Sequence, residues 1–328
     1  MPGGWLTRPI ALPRTALLAW LLLAASLTGL AGRLWWGFDL AAHFPLHYAL
    51  GLVTLAPLLW WQRWRRLALL ALVVALAQGS RALDWYQPTP AAAAGAEIRV
   101  FLLNLQRNNT AHQAVLEAIA TERADIVVLL EVNRRWAGAL QALHGDYPHR
   151  RVLSAEDNFG IALYSRYPLA PLAVRESGPW GLASILAGVN IQGQRLMVYA
   201  THPPPPLGKA MSTARDAQLA AVADELALLP GPRLLAGDLN ATPWSAAFAP
   251  LQAAGLRDST RGFAYQGSWP HWLGGWGIPL DHLLVSTDIA VLERRLGPAL
   301  GSDHLPVLAT LQLPVSASTA STAVGSSR

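Results

Sequence analysis

Apolar positions follow two regimes along this chain. Up to Leu83 they run in long uncharged blocks; from Glu97 they come in short bursts split by polar, glycine and proline positions. Thr15–Gly32 is 18 residues without a charge, Leu40–Trp61 is 22, and Leu67–Ser80 is 14, extending to Leu83 if Arg81 snorkels to an interface. A membrane-crossing helix needs about 20 apolar residues. The first regime therefore predicts three transmembrane helices, the third the shortest. Trp35, Trp36, Trp60, Trp61, Trp64 and Trp85 stand at block ends, where an aromatic belt belongs. A cleaved leader is the alternative for the first block, set aside because two more blocks follow at once. An interfacial or buried helix is the alternative for the third. His43 and His47 share a helix face by spacing and read as packing rather than a metal site.

The second regime alternates strand and helix patterns. Strands are predicted at Glu97–Leu103, Ile126–Leu130, Gly160–Ser165, Arg233–Ala236, His282–Ser286 and Pro306–Leu313. Ser184–Ile191 and Gln194–Thr201 flank Gln192-Gly193 as a hairpin. Helices are predicted at Thr110–Glu122, capped by Asn109 or Thr110, at Asn133–Leu143, and at Lys209–Leu229 before Pro230-Gly231-Pro232. Such alternation predicts an α/β domain of mixed sheets with helices outside. The parts are then a membrane anchor (1–85), a Pro/Ala/Gly linker (86–96), the domain (97–313) and a Ser/Thr/Ala-rich disordered tail (314–328).

Charge changes the picture once it is divided. Residues 1–95 hold seven of the 25 basic residues and two of the 20 acids, which leaves 18 of each sign in the remainder. The net +5 sits in the apolar region, so the basic balance is no nucleic-acid footprint. Arg8, Arg14, Arg63, Arg65 and Arg66 lie on one side of the three blocks, and Arg33 and Arg81 on the other. The positive-inside rule then puts the N-terminus in the cytoplasm and the domain outside it, as in a bacterial inner-membrane protein with a periplasmic domain. There is no cysteine, which excludes disulfides, thiolate metal sites and cysteine nucleophiles.

Polar residues gather where the predicted strands end: Asn104 and Gln106, Glu131, His202, Asp238 and Asn240, Asp281 and His282, then Ser302, Asp303 and His304. Singly, each reads as an ion pair, an Asx-turn, a cap or a loop residue. Together, at successive strand ends, they read as a site. Glu131, Asp303 and Asn104 offer hard oxygens suited to Mg²⁺ or Mn²⁺. His304 with a carboxylate such as Asp281 is a general-base pair. His202 and Asn240 are donors for developing phosphorane charge. This chemistry hydrolyses a phosphate ester.

The order Asn104-Leu-Gln106, Glu131, Gly160-Ile-Ala-Leu-Tyr-Ser-Arg166-Tyr-Pro168, Thr201-His202, Gly237-Asp238-Leu-Asn240-Ala-Thr-Pro243, Asp281-His282, Ser302-Asp303-His304-Leu-Pro306 resembles the endonuclease/exonuclease/phosphatase superfamily, in a membrane-anchored bacterial branch. The resemblance covers about residues 97–313 and implies a four-layer sandwich of two mixed β-sheets flanked by helices. It implies Glu131 as main metal ligand with Asn104 beside it and Asp303 as a further ligand. It implies His304 with Asp281 acting on the attacking water, which Asp238 positions, Asn240 on the phosphate, and His202 on the transition state or leaving group. Arg215 matches an arginine on the following helix and joins the substrate-binding set. Gln106 departs from relatives with an acid there, which weakens a second-metal site.

The expected protein is a membrane-anchored, Mg²⁺- or Mn²⁺-dependent phosphoesterase acting on a phospholipid, nucleotide or nucleic acid. Trp269, Trp272 and Trp276, on a glycine-flanked stretch before Asp281, would rim the site, stacking on bases or sugars or dipping into a bilayer. The alternative is a catalytically inactive phosphoester-binding membrane protein, which the retained residues argue against. A transporter or sensor is disfavoured because the first two blocks carry no charge.

Overall fold

The computed structural model describes residues 12–87 and 95–314, which divide into two compact units at Leu83/Asp84. Arg8, linker residues 88–94 and tail residues 315–328 lie outside the described residues.

The first unit is helical: α1 (Arg14–Leu30), α2 (Trp36–Ala42), α3 (Pro45–Trp61) and α4 (Arg65–Ser80). The block Leu40–Trp61 is not the single helix expected. It breaks at His43-Phe44, and α2 and α3 meet at a bend of 64°. Pro45 is the cause: it opens α3 at its first position and disfavours helical geometry at Phe44, which sits at φ −120°, ψ 33°. Among the described residues no single helix is long and apolar enough to cross a membrane; α2 and α3 pass that test only together. Ala16, Ala19 and Leu23 of α1, Leu52, Leu55 and Leu59 of α3, and Ala68, Ala71 and Ala75 of α4 are buried in one cluster. Large apolar side chains face outward instead, such as Leu21, Trp61 and Leu76. Alanines and leucines are packed inside while other large apolar side chains stay outside, unlike the usual soluble pattern. His43 and His47 lie edge-on to Phe44, at 6.4 and 5.6 Å between ring centroids, in line with a packing role.

The second unit contains two six-stranded sheets. In chain order its elements are β1 (Glu97–Asn104), α5 (His112–Glu122), β2 (Ile126–Leu130), α6 (Arg134–Ala139), β3 (His149–Leu153), β4 (Ile161–Ser165), β5 (Leu169–Ser177), β6 (Leu182–Ile191), β7 (Gln194–Ala200), α7 (Lys209–Leu228), β8 (Arg233–Asp238), α8 (Ala249–Ala253), β9 (Leu256–Asp258), β10 (Asp281–Ser286), β11 (Ala290–Leu296) and β12 (Val307–Gln312). The sheets run β11-β12-β1-β2-β4-β3 and β5-β6-β7-β8-β10-β9. Each has one parallel pair, β1 with β2 and β7 with β8, among antiparallel neighbours.

Alternation along the strands builds three apolar layers. Ile98, Val100 and Leu102 of β1 face the inter-sheet core with Ile185, Val198 and Leu234. Phe101 and Leu103 face the opposite way, into a layer with Val115, Ile119 and Trp136. Tyr199 and Leu235 meet Leu219, Val222 and Leu226 of α7 beneath the second sheet. Two mixed sheets with helices on their outer faces agree with the expected α/β architecture. Helix starts differ in detail. Asn133 caps α6, its side chain accepting from Trp136 N. Asn109 instead accepts from Ala111 N, in a turn ahead of α5.

Candidate active site

Each functional side chain stands where a central strand ends, and register fixes which of them meet. Asn104 ends β1 opposite Leu130, so Glu131 follows at the same edge. Asp238, ending β8, is paired with Asp281, opening β10. His202 follows β7, and Asp303 and His304 precede β12. Gly237 is required there, because a Cβ on it would lie 2.0 Å from Thr201 O. Gln106, Glu131 and Asn240 all adopt left-handed backbone, at φ 54°, 58° and 49°. Such conformations in non-glycine residues concentrate at functional sites.

Asp238 is the hub. Its Oδ2 accepts from Asn104 Nδ2 at 3.1 Å and lies 3.5 Å from His202 Nε2 and 3.6 Å from His304 Nε2. Its Oδ1 accepts from Asn240 N at 2.9 Å. Asn104 Nδ2 also donates to Glu131 Oε1 at 3.2 Å, linking the two sheets through one amide. Glu131 Oε2 accepts from Arg107 N, a main-chain donor that local patterns do not reveal. On the far side His304 Nδ1 donates to Asp281 Oδ2 at 2.7 Å. Asp238, Asp281, His202 and His304 are buried and form the floor; Glu131, Asn240 and Asp303 are half-buried and form the walls.

Burial alone would push the His304 imidazole down; the Asp281 and Asp238 carboxylates outweigh it and raise it to about 10. Burial would likewise raise the Asp238 carboxyl, but the charges of His304 and His202 hold it well below the usual carboxylate range. His202 is raised, its desolvation being outweighed by the hydrogen bond and charge of Asp238. Asp238 thus stands between two imidazoles whose charge it favours.

Asp238, Asp281 and His304 place potential ligand atoms within 4.8 Å of one another. An ion there would compete with the 2.7 Å His304–Asp281 hydrogen bond. Glu131 and Asp303 fit a hard divalent cation by donor chemistry; Asn104, expected beside them, turns its Nδ2 rather than its Oδ1 toward Glu131, its Oδ1 accepting from Gln106 N, so it would have to rotate to serve as a ligand. Glu131 is half-buried, and each of its oxygens takes one hydrogen bond and keeps a lone pair.

The substrate-binding set is placed unevenly. Arg215 does not reach the cleft. It is 1% exposed, and its Nη1 donates to Asn240 O at 3.0 Å, bracing that residue from behind. Trp269 is half-buried and donates its indole N–H to Asp303 Oδ2 at 3.0 Å, so it orients a wall residue. Trp272 and Trp276 stand exposed beyond it. Asn240 Nδ2 donates to Pro203 O, tying its loop to the one after His202.

Ser302 was expected at this edge though its bonds were not, and Phe159 and Gln218 were not expected at all. Ser302 Oγ donates to Asn104 O and accepts from His304 N, joining β1 to the histidine loop. Phe159 packs on His202 at 5.8 Å. Gln218 Nε2 donates to Thr201 Oγ1 beneath His202; its spacing of three from Arg215 on α7 is the one signal that could have shown it. His282 does not line the cleft: its ring nitrogens face Asp258 Oδ2 and Ala241 O.

The family model described as the Endonuclease/Exonuclease/phosphatase family matches residues 98–304, more than half of the chain. Among solved structures, the endonuclease/exonuclease/phosphatase from Beutenbergia cavernae is 21% identical with a TM-score of 0.55, over 66% of this chain and 72% of that one. D. rerio TDP2 complexed with a single-strand DNA product is 16% identical with a TM-score of 0.56, over 66% and 99%. The human Nocturnin catalytic domain with bound sulfate is 19% identical with a TM-score of 0.53, over 66% and 93%. At these identities the likeness is one of fold. No curated protein matches the chain.

Proposed function

The chain belongs to the endonuclease/exonuclease/phosphatase family, and from that premise we propose a membrane-anchored, divalent-metal-dependent phosphoesterase. The observation that carries the reading is His304, held between Asp281 and Asp238 at the floor of the cleft. A structural ion pair needs one partner. Two carboxylates on one buried imidazole, with a second histidine on the same Asp238 oxygen, make a proton-handling group.

Asp281 fixes the His304 ring through Nδ1 and turns Nε2 toward Asp238. With His304 held as a cation between Asp281 and Asp238, Asp238 is the group placed to take the proton of an attacking water, and the His304–Asp281 pair stabilises the charge beside it. His202 faces the same carboxylate and stabilises the charge that develops or protonates the leaving oxygen. Asn240 contributes its amide to the phosphate, and Arg215 holds that residue in place. Glu131 and Asp303, with Asn104 once its amide rotates, would hold Mg²⁺ or Mn²⁺, which when bound polarises a phosphoryl oxygen.

The outward-facing leucines and tryptophans of the helical unit support a membrane location for it, with the α2–α3 pair crossing as a bent unit. Were all three apolar blocks to cross, the arginine split would favour the second unit lying outside the cytoplasm of a bacterial cell. An alkaline-phosphatase fusion after residue 95 should be active, and a cytoplasm-dependent fluorescent reporter dark; the reverse would place the domain inside. Activity is tested with the full chain on DNA, RNA, nucleotides, phosphoinositides and sphingomyelin, each with Mg²⁺ or Mn²⁺ and again with chelator. Cation-dependent release from at least one ester is expected. No turnover on any ester, or undiminished turnover in excess chelator, would refute the reading.

A further inference from the structure

We propose that the loop tip Trp272-Leu273-Gly274-Gly275-Trp276 is a lipid-contact rim that seats the site on a bilayer surface, so that the substrate is a phosphoester carried by a lipid; this rests on the phosphoesterase reading above. The loop is fastened to the wall of the site. Trp269 Nε1 donates to Asp303 Oδ2, His271 N to Asp303 O at 2.7 Å, and Leu305 N to Ser268 O at 2.8 Å. Beyond these points Trp272, Leu273 and Trp276 are 67%, 48% and 64% exposed. Leu207, on the loop after His202, is 75% exposed.

The tip is not a flap swinging on glycines. Gly267 N donates to Gly275 O, and Ile278 N to Trp269 O, closing the loop at its base. A Cβ on Gly267 would lie 2.1 Å from Gly277 O, and one on Gly277 would lie 2.3 Å from Trp269 O. The two arms pack backbone to backbone and hold the apolar side chains outward. Monomeric soluble domains seldom present such a patch without a partner.

Two observations choose the partner. No residue from Gly262 to Leu280 is an acid, lysine or arginine, and residues 96–328 carry no net charge. A nucleic-acid backbone would call for lysines and arginines there, whereas tryptophan beside glycine without charge suits a lipid interface. The second is the aromatic base on which the loop stands. Trp85 stacks on Trp244 at 4.9 Å and on Tyr265 at 5.4 Å, and its carbonyl accepts from Gly262 N and Ala264 N. Tyr265 Oη in turn donates to Gly277 O. Trp85 of this same unit is thus fastened to the base of the exposed loop.

The absence of cysteine allows a direct test. Full-length W272C, L273C and W276C are labelled singly with an environment-sensitive fluorophore; L228C, at an 84% exposed position ending α7, is the reference. The proteins are placed in phosphatidylcholine nanodiscs with nitroxide on the acyl chains. An interfacial apolar face sinks roughly 5–10 Å, so labels at 272, 273 and 276 should be quenched about twofold or more relative to 228. Quenching no greater than at 228 overturns the proposal. So does a response to single-stranded oligonucleotide without lipid quenching, which would give the rim to nucleic acid. The readout needs no turnover, so an inactive enzyme with quenched labels would sink the phosphoesterase reading and the lipid-borne substrate with it, and leave the lipid-contact rim standing.

Discussion

Asp281→Asn tests the His304–Asp281 pair at its base. The carboxylate is fully buried, its Oδ2 accepts from His304 Nδ1 at 2.7 Å, and its Oδ1 has no hydrogen-bond partner among the described residues. An amide fits the same space but carries no charge. The imidazolium loses one of the two carboxylates that keep it charged, so His304 falls back toward an ordinary imidazole and its support of Asp238 weakens. Loss of one member of an acid–base pair costs about 10²–10⁴ in rate, or roughly 2.7–5.4 kcal/mol at 1.36 kcal/mol per decade. The assay is kcat/KM on the best ester from the panel, at saturating Mg²⁺, for Asp281→Asn, His304→Ala and the double variant, with near-UV circular dichroism to confirm folding. The double variant should be no slower than the poorer single, because the residues act as a unit. Losses that add in log rate would mean that Asp281 and His304 work separately, and the pairing would be wrong.

Three further outcomes follow from the same geometry. Glu131→Gln removes a charge from the oxygen set, and at about 1.5–3 kcal/mol per charge-assisted contact Mn²⁺ affinity should fall roughly 10–100-fold by titration calorimetry; unchanged affinity would remove Glu131 as a ligand. Asp258 is held at about 2 against an ordinary 3.8, its burial being outweighed by His282, so its stabilisation is complete above pH 3.8 and is lost as pH falls toward 2. At 1.36 kcal/mol per unit that is roughly 2.4 kcal/mol, so Asp258→Asn should lower the Tm at pH 7 and flatten the acid limb between pH 4 and 2, and an unchanged acid limb would sink the pairing. Gly237→Ala should cost about 1–3 kcal/mol by crowding Thr201 O, whereas Gly138→Ala, with nothing within 4 Å of the new Cβ in α6, should be neutral or stabilising; similar Tm values for the two would refute the packing argument.

The strands that sequence periodicity missed are β3, β5, β9 and β11, and all four are sheet edges. An edge strand pairs on one side and covers less core, so its sequence need not be continuously apolar. His149-Arg-Arg-Val-Leu153 and Leu256-Arg-Asp258 show this, and Leu169–Ser177 carries Pro171. Interior strands such as Ile126–Leu130 are buried on both faces and read as unbroken apolar runs. The break at Pro45 shows the opposite failure. The residue that ends the helix was visible, but total hydropathy is blind to a missing N–H, so one block was expected where the chain makes two helices.

The same division holds inside the site. Glu131, His202, Asp238, Asp281 and His304 were legible because each follows or precedes an apolar strand, and strand ends are where buried charge can still reach water. What the pattern could not show is pairing across the fold. Arg215 and Asn240 are 25 positions apart, Asn104 and Asp238 are 134, and Ser302 and Asn104 are 198. Those contacts decide role rather than membership. They turn Arg215 from a ligand contact into a brace, and Trp269 from a stacking surface into the donor that orients Asp303. With Trp269 committed to the wall, only Trp272 and Trp276 of that loop's tryptophans remain outward, on a rim without charge. The recognition of substrate therefore falls to groups outside the hydrogen-bonded floor, and the floor itself can be common to esters of very different kinds.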